Sequence, residues 1–306
     1  MARVIRERKR VTAKEEDSSD APIKKKKVIA STDSGTVENV TVDLSDISLP
    51  TKRTVPSNNI GDYAFLIFGE EKIGKTSFAN QFGETFFFAF ERGTKAASVF
   101  TTKVLTYWEE VMEYMGKIEK SKNIPYTFYT IDTGHAAYDR ALEFVCRRDS
   151  IPHPGKVKDY GASWKEVTKE FTQFHSRLAN LGGFIVISHE RTRERTGRDG
   201  VKFDRIEPAF SESTELFYKA ICDMTAYYHQ ASDRKRYLLI QPTDMIHAGH
   251  RIDGHFLTPD GDAVVRVPMG NSAEEAFHNF TKAFNNKQTD TYAIVREKGG
   301  AVKKRV

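Results

Sequence analysis

The chain has 306 residues, 39% hydrophobic and 29% charged, with 47 Lys and Arg against 42 Asp and Glu. Ten of those basic residues and five acidic ones fall in the first thirty positions, so this stretch carries the whole formal charge of +5. A broadly basic body is therefore excluded, and any nucleic-acid surface on it must be local. Two distant cysteines, Cys146 and Cys222, exclude a disulfide framework, and the absence of a membrane-length apolar run excludes a helical span; a reduced, cytoplasmic protein is expected.

Residues 1–58 read as a charged, disordered N-terminal tail rich in Ser, Thr and Asp. The run Lys24 to Lys27 within it suits a nucleic-acid contact, a nuclear address or a plain solvated face. Residues 59–285 carry an α/β pattern, and residues 286–306 read as a basic C-terminal tail. The length and apolar content of the middle part suit one folded domain.

The apolar run Ala64 to Phe68 predicts a buried strand. Gly69, Glu70, Glu71, Lys72, Ile73, Gly74, Lys75 and Thr76 follow it and spell G-x-x-x-x-G-K-T. Ser77 then opens a short helical segment. A strand, a glycine loop and a helix start in that order form a phosphate-binding loop. Glycines let the backbone wrap an anion, and free N–H groups at the helix start face it. Residues 69–77 are thus the expected nucleotide-binding set. Lys75 is expected on the terminal phosphates, and Thr76 on Mg²⁺. The side chains of Glu70 and Glu71 must then point outward.

Thr85 to Phe90 reads as a strand buried on both faces and stops at Glu91. Thr106 and Glu109 predict a capping box ahead of a helix carrying Val111, Met115 and Ile118. Tyr126 to Asp132 is a strand ending in an acid. A helix is expected over 136–148, then a loop over 149–161 holding Lys156, Lys158 and Tyr160. Ser163 and Glu166 predict a second capping box, and Trp164, Val167, Phe171, Phe174 and Leu178 form a helical core stripe. Gly183 to Glu190 is another buried strand.

A long mobile loop is expected from Arg191 to about Ser213. It carries Arg191, Arg193, Arg195, Arg198, Lys202 and Arg205, with Phe203 as a stacking face. This composition suits a flexible finger on a nucleic-acid backbone. Met224–His229 and Arg236–Gln241 read as strands around a turn. Ser272 and Glu275 cap a last helix.

Alternating strands and helices predict a mostly parallel sheet flanked by helices. In such sheets ligands sit beyond the carboxyl ends of the strands. The phosphate loop, Glu91, Asp132 and His189 all fall there. Asp132 is the expected second Mg²⁺ acid, and Glu91 the residue that activates water. His189 is expected to sense the γ-phosphate.

The phosphate loop, Glu91, the aspartate-ended strand and the polar residue before a basic loop resemble the RecA-like P-loop ATPase core. Phe86 to Gly93, Ser188-His189-Glu190 and Arg236 to Arg251 are similar to phage-encoded RecA-core ATPases of single-strand annealing. The resemblance covers about residues 60–285. It implies an α/β RecA-like fold with antiparallel distal strands, and ATP with Mg²⁺ as cofactors. It supports Glu91, Lys75 and His189 as catalytic residues, and single-stranded DNA on the arginine-rich segment. It further implies a homo-oligomer, ring or filament, with Arg251 or Lys235 reaching a neighbouring subunit's nucleotide. A single-strand binding protein is an expected partner, and the host cytoplasm the expected place if the chain is phage-encoded. Filament formation is left open, because residues 1–58 carry no recognisable oligomerisation domain.

Three other readings use the same loop. A small-molecule kinase would need an acceptor site and a mobile lid. A nucleotide-binding scaffold would hold ATP without turnover. A GTPase would need an N-K-x-D motif, and Asn286-Lys287-Gln288-Thr289 places a threonine where the acid belongs.

Overall fold

The structure is a computed structural model that describes residues 27–31, 37–41 and 49–289. The chain divides into two units, residues 1–55 and 56–306. In the first, β1 (Lys27–Ser31) and β2 (Val37–Thr41) pair antiparallel, with Lys27 opposite Thr41. This pair lies in a stretch whose composition reads as tail. Lys24, Lys25, Lys26 and residues 290–306 of the C-terminal tail lie outside the described residues.

The second unit is built on a ten-stranded sheet. Its strands are β3 (Ala64–Gly69), β4 (Thr85–Ala89), β5 (Phe100–Thr101), β6 (Phe128–Asp132), β7 (Phe184–Thr196) and β8 (Lys202–Pro208). They continue with β9 (Met224–Gln230), β10 (Arg236–Leu239), β11 (Gly249–His250) and β12 (Arg266–Pro268). The helices are α1 (Lys75–Ala79), α2 (Trp108–Lys120), α3 (Gly134–Arg148), α4 (Ala162–Leu181), α5 (Glu212–Ile221) and α6 (Ala273–Phe284). The strand order is β12-β10-β9-β3-β7-β6-β4-β5, with β11 on β9 and β8 on β7. From β9 to β5 every neighbouring pair is parallel. The distal strands both pair as a hairpin and extend the main sheet, because β10 and β12 add to it antiparallel.

The strand pleat explains the two cores. Successive side chains leave a strand on opposite faces. Leu66, Phe86, Phe88, Tyr129, Ile131 and Val186 point to a cluster shared with α2, α3 and α4. Phe65, Ile67, Phe87, Phe128, Ile185 and Ile187 point to one shared with α1 and α6. Each central strand is therefore apolar on both faces, as its sequence requires. In the α4 stripe Val167, Phe171, Phe174 and Leu178 are buried, whereas Trp164 is on the surface.

The helix starts differ from both predicted boxes, in the acid at α2 and in the cap at α4. Glu110, not Glu109, reaches back to the backbone N–H groups of Thr106 and Tyr107. Glu109 pairs instead with Arg147. At α4 the cap is Asp159, which accepts from the Ser163 N–H at 2.8 Å and from its hydroxyl. Glu166 pairs with Arg148. At α6 the expected cap holds: Ser272 Oγ accepts from the Glu275 N–H, and Glu275 accepts from the Asn271 N–H.

Phe280 on α6 ties this helix to the sheet. Its ring centroid lies 5.7 Å from that of Phe65, 5.4 Å from Phe78 and 5.4 Å from Phe256. Truncating a fully buried ring removes its transfer energy and leaves a cavity. Phe280→Ala is expected to lose about 3–5 kcal/mol, read as a lower urea midpoint at unchanged slope.

Candidate functional site

The site forms where β3, β4 and β6 end and β7 leaves the main sheet at His189. The loop after β3 turns sharply at Gly69, where an added Cβ would lie 1.9 Å from the Tyr228 carbonyl oxygen. Only glycine allows β9 to approach so closely. Lys72 and Gly74 take left-handed conformations, and Ile73 anchors the loop in the core. Glu70, Glu71 and Lys72 are exposed, so the loop turns its backbone inward as required. Helix α1 spans only five residues, which limits its dipole. The loop's own N–H groups must supply most of the attraction for an anion.

Lys75 is 6% exposed. Its ammonium donates to the carbonyl oxygens of Gly69 at 2.8 Å and Glu70 at 2.6 Å. Burial pulls its pKa below the usual lysine range, while Asp132, Glu190, Glu71 and Glu70 oppose that shift. Thr76 Oγ1 donates to Asp132 Oδ2 at 2.9 Å. Asp132 is 5% exposed. Burial pushes its carboxyl upward, the Thr76 hydrogen bond opposes this, and Glu91 adds to it. Gly93 passes beside the pair, where a Cβ would meet Asp132 Oδ2 at 3.2 Å. A hydroxyl and a buried carboxylate in contact form an oxygen donor set that suits Mg²⁺. A cation there would also relieve the desolvated charge.

Glu91 follows β4 and is met from β6 and β7. Thr133 Oγ1 donates to its Oε1 at 2.7 Å. His189 Nε2 lies 3.4 Å from Oε2, and His135 Nε2 lies 3.4 Å from Oε1. The Asp132–Thr133 peptide is cis. The four strand ends therefore converge as the parallel sheet requires. Sequence reasoning missed Thr133 and His135. The signal was present, since both fall within three residues after Asp132 at a strand end. It also missed Arg236, which donates through Nε and Nη2 to the Gly270 carbonyl. Its Nη1 lies 3.5 Å from where a Cβ on Gly74 would be. No local pattern marks that residue.

The arginine-rich segment is corrected by the structure. It is not a long mobile loop but a β-hairpin. Strand β7 runs on past His189 to Thr196, turns at residues 197–201, and returns as β8. Period-two alternation puts Arg191, Arg193 and Arg195 on one face, with Phe203, Arg205 and Glu207 opposite them in register. Arg195 grips Glu207 through two hydrogen bonds of 2.8 and 2.7 Å. Arg193 lies 3.2 Å from Glu212, and Arg191 lies 3.6 Å from Glu215. Glu207 is 1% exposed. Burial pushes its carboxyl up, but Arg195, Arg193 and Arg205 bring it below the ordinary range. Arg191, Arg193 and Arg195 thus each face a carboxylate, and Phe203 shares their half-buried face. Lys202 pairs with Glu194 on the surface. Arg198 in the turn is exposed and forms no ion pair among the described residues.

The two cations expected to act on a neighbouring subunit separate. Arg251 donates to Asp223 Oδ1 at 3.0 Å and to the Ala220 carbonyl. Asp223 also accepts from the Ala64 N–H at the start of β3. Arg251 is thus at the amino end of the strands, away from the other candidates, and its guanidinium secures α5 to the sheet. Lys235 is exposed in the turn after β9, at the edge where the phosphate loop lies. Arg147 and Arg148 are likewise held in ion pairs with Glu109, Glu166 and Glu170.

The buried carboxyl of Asp132 has a testable cost. Its folded pKa is raised, so its contribution to stability is present at low pH and is lost as pH rises through that pKa. Without nucleotide or divalent cation, Asp132→Asn is expected to melt higher than the parent protein at pH 7. The gap should close as pH falls below that raised pKa, where Asp132 too carries a neutral side chain, as read by thermal melts across pH.

No curated protein matches the chain significantly. A family model described as an AAA domain matches residues 62–252, more than half of the chain and all of the strand ends that build the site. The chain therefore belongs to the AAA domain family of P-loop ATPases.

Proposed function

We propose that this protein hydrolyses ATP and couples the state of the nucleotide to the hairpin β7–β8, which engages single-stranded DNA in recombination or annealing. The observation that carries this reading is the contact between Glu91 and His189 at 3.4 Å. The carboxylate that would activate water thereby touches the residue from which the hairpin grows.

The chain's own residues divide the work. The loop 69–77 binds the phosphates through backbone N–H groups. Lys75 exchanges its two carbonyl partners for phosphate oxygens. Thr76 and Asp132 would hold Mg²⁺, which supplies neutralising charge on the phosphates when bound. Glu91 accepts the proton of the attacking water. His189 exchanges its Glu91 contact for the γ-phosphate and loses that partner on hydrolysis. DNA would bind on the exposed cations at the hairpin turn, chiefly Arg198, through its phosphates. Nucleotide held between subunits of a ring or filament completes the reading. Lys235 is the cation we assign to the neighbouring subunit.

ATPase rate with and without single-stranded DNA, at low and moderate salt, tests the coupling. Stimulation that fades with salt is the expected result. No effect of DNA at either salt would leave a P-loop ATPase without the DNA step. A rate that responds to a small phosphoryl acceptor instead would make it a kinase. Lys75→Ala should abolish ATP-dependent DNA binding with the melting temperature kept. Arg198→Ala should weaken DNA binding and reduce its salt slope by about 1. Arg195→Ala should lower the melting temperature instead, because its partner Glu207 is buried.

A further inference from the structure

His135 is the second residue of α3 and stands three positions after Asp132. Its Nε2 lies 3.4 Å from Glu91 Oε1, the oxygen that also takes the Thr133 hydroxyl. His189 Nε2 addresses the other oxygen at the same distance. The two rings both reach the carboxylate, tilted by 57° to each other with centroids 5.7 Å apart. Each oxygen of Glu91 therefore meets one imidazole, and the two imidazoles come from different strand ends.

The ring protonation follows from the surroundings. In both rings Nδ1 is buried without a partner. A lone pair aimed at a carboxylate would repel it, so a neutral ring here carries its proton on Nε2. The bare Nδ1 then needs no acceptor. Burial pulls the His135 pKa down, against Glu91 and Asp139 and together with His189, which keeps the ring neutral. Glu91 is a flexible side chain that is only partly covered, at 37% exposure. A general base must be held within hydrogen-bond reach of its proton, and contacts of this kind tighten when substrate binds.

We propose that His135 is a positioning residue for Glu91: a neutral donor that fixes one carboxylate oxygen while His189 fixes the other. His189 turns away to nucleotide in the cycle described above, and His135 with Thr133 keeps the base aimed when it does. The proposal rests on the reading of Glu91 as the base. No proton is transferred to or from His135.

Steady-state ATPase kinetics and binding of a non-hydrolysable ATP analogue test it in the full chain with His135→Ala, His135→Gln and Glu91→Gln. His135→Ala should lower kcat about tenfold with KM and analogue affinity unchanged. Thr133 still holds Oε1, so the loss is partial. His135→Gln should recover most of the rate, because its amide N–H reaches the place of Nε2. A merely structural histidine would not give this split or this rescue. Wild-type kcat in His135→Ala beside an inactive Glu91→Gln overturns the positioning role and leaves Glu91 as base. Loss of analogue affinity in step with kcat, or no rescue by glutamine, overturns it too. An active Glu91→Gln overturns the underlying reading and the inference with it.

Discussion

The pairing of β3 between two parallel neighbours is the constraint on which the site depends. Phe65 to Gly69 bond to β7 on one side and β9 on the other. A strand enclosed on both edges and both faces has one register open to it. That register ends β3 level with β7, opposite His189, and brings Gly69 under the Tyr228 carbonyl. The phosphate loop thus starts from a fixed point, and the neighbouring strand ends are fixed against it. Parallel pairing is what makes all four chemical groups emerge on the same side.

The charges gathered at that edge are balanced at some cost to the resting protein. Lys75 and Asp132 are both buried, and burial moves each toward its neutral form. The carbonyls of Gly69 and Glu70 and the Thr76 hydroxyl satisfy them without a ligand. A polyanion with a cation would offer both groups stronger partners. The site is organised before substrate arrives, so little reordering is needed on binding.

The main sheet was legible because a strand buried on both faces has a plain signature. Phe86-Phe87-Phe88 and Ile185-Val186-Ile187 leave few other readings. The strand-end rule then placed Glu91, Asp132 and His189 without any tertiary information. What the sequence hid depended on distant partners. The hairpin read as a loop because Arg-Thr-Arg-Glu-Arg-Thr is polar throughout, yet its period of two was visible. That Arg191, Arg193 and Arg195 meet carboxylates of α5 could not be read, since Glu212 and Glu215 lie beyond a turn and on a helix. Arg251 looked available until Asp223 came beside it. The Asp159 cap was missed because it lies outside the nearest Ser-x-x-Glu spacing. Residues 27–31 and 37–41 pair as strands within charged composition that conceals their alternation.

Strand β7 is unbroken from the core residue Phe184 to Thr196 at the hairpin end. Its first part is clamped in the sheet, and its last part is braced by β8, which Met245 and His247 hold at Ile206, and by ion pairs to α5. At about 3.3 Å per residue the seven steps from His189 to Thr196 extend roughly 23 Å. The projecting arm is thus a stiff lever with its pivot at His189, level with the start of the phosphate loop. A tilt of about 10° at His189 would carry the tip roughly 4 Å on that length. On the proposed coupling, a changed contact of His189 with one phosphate would become a displacement comparable to the spacing between stacked nucleotides.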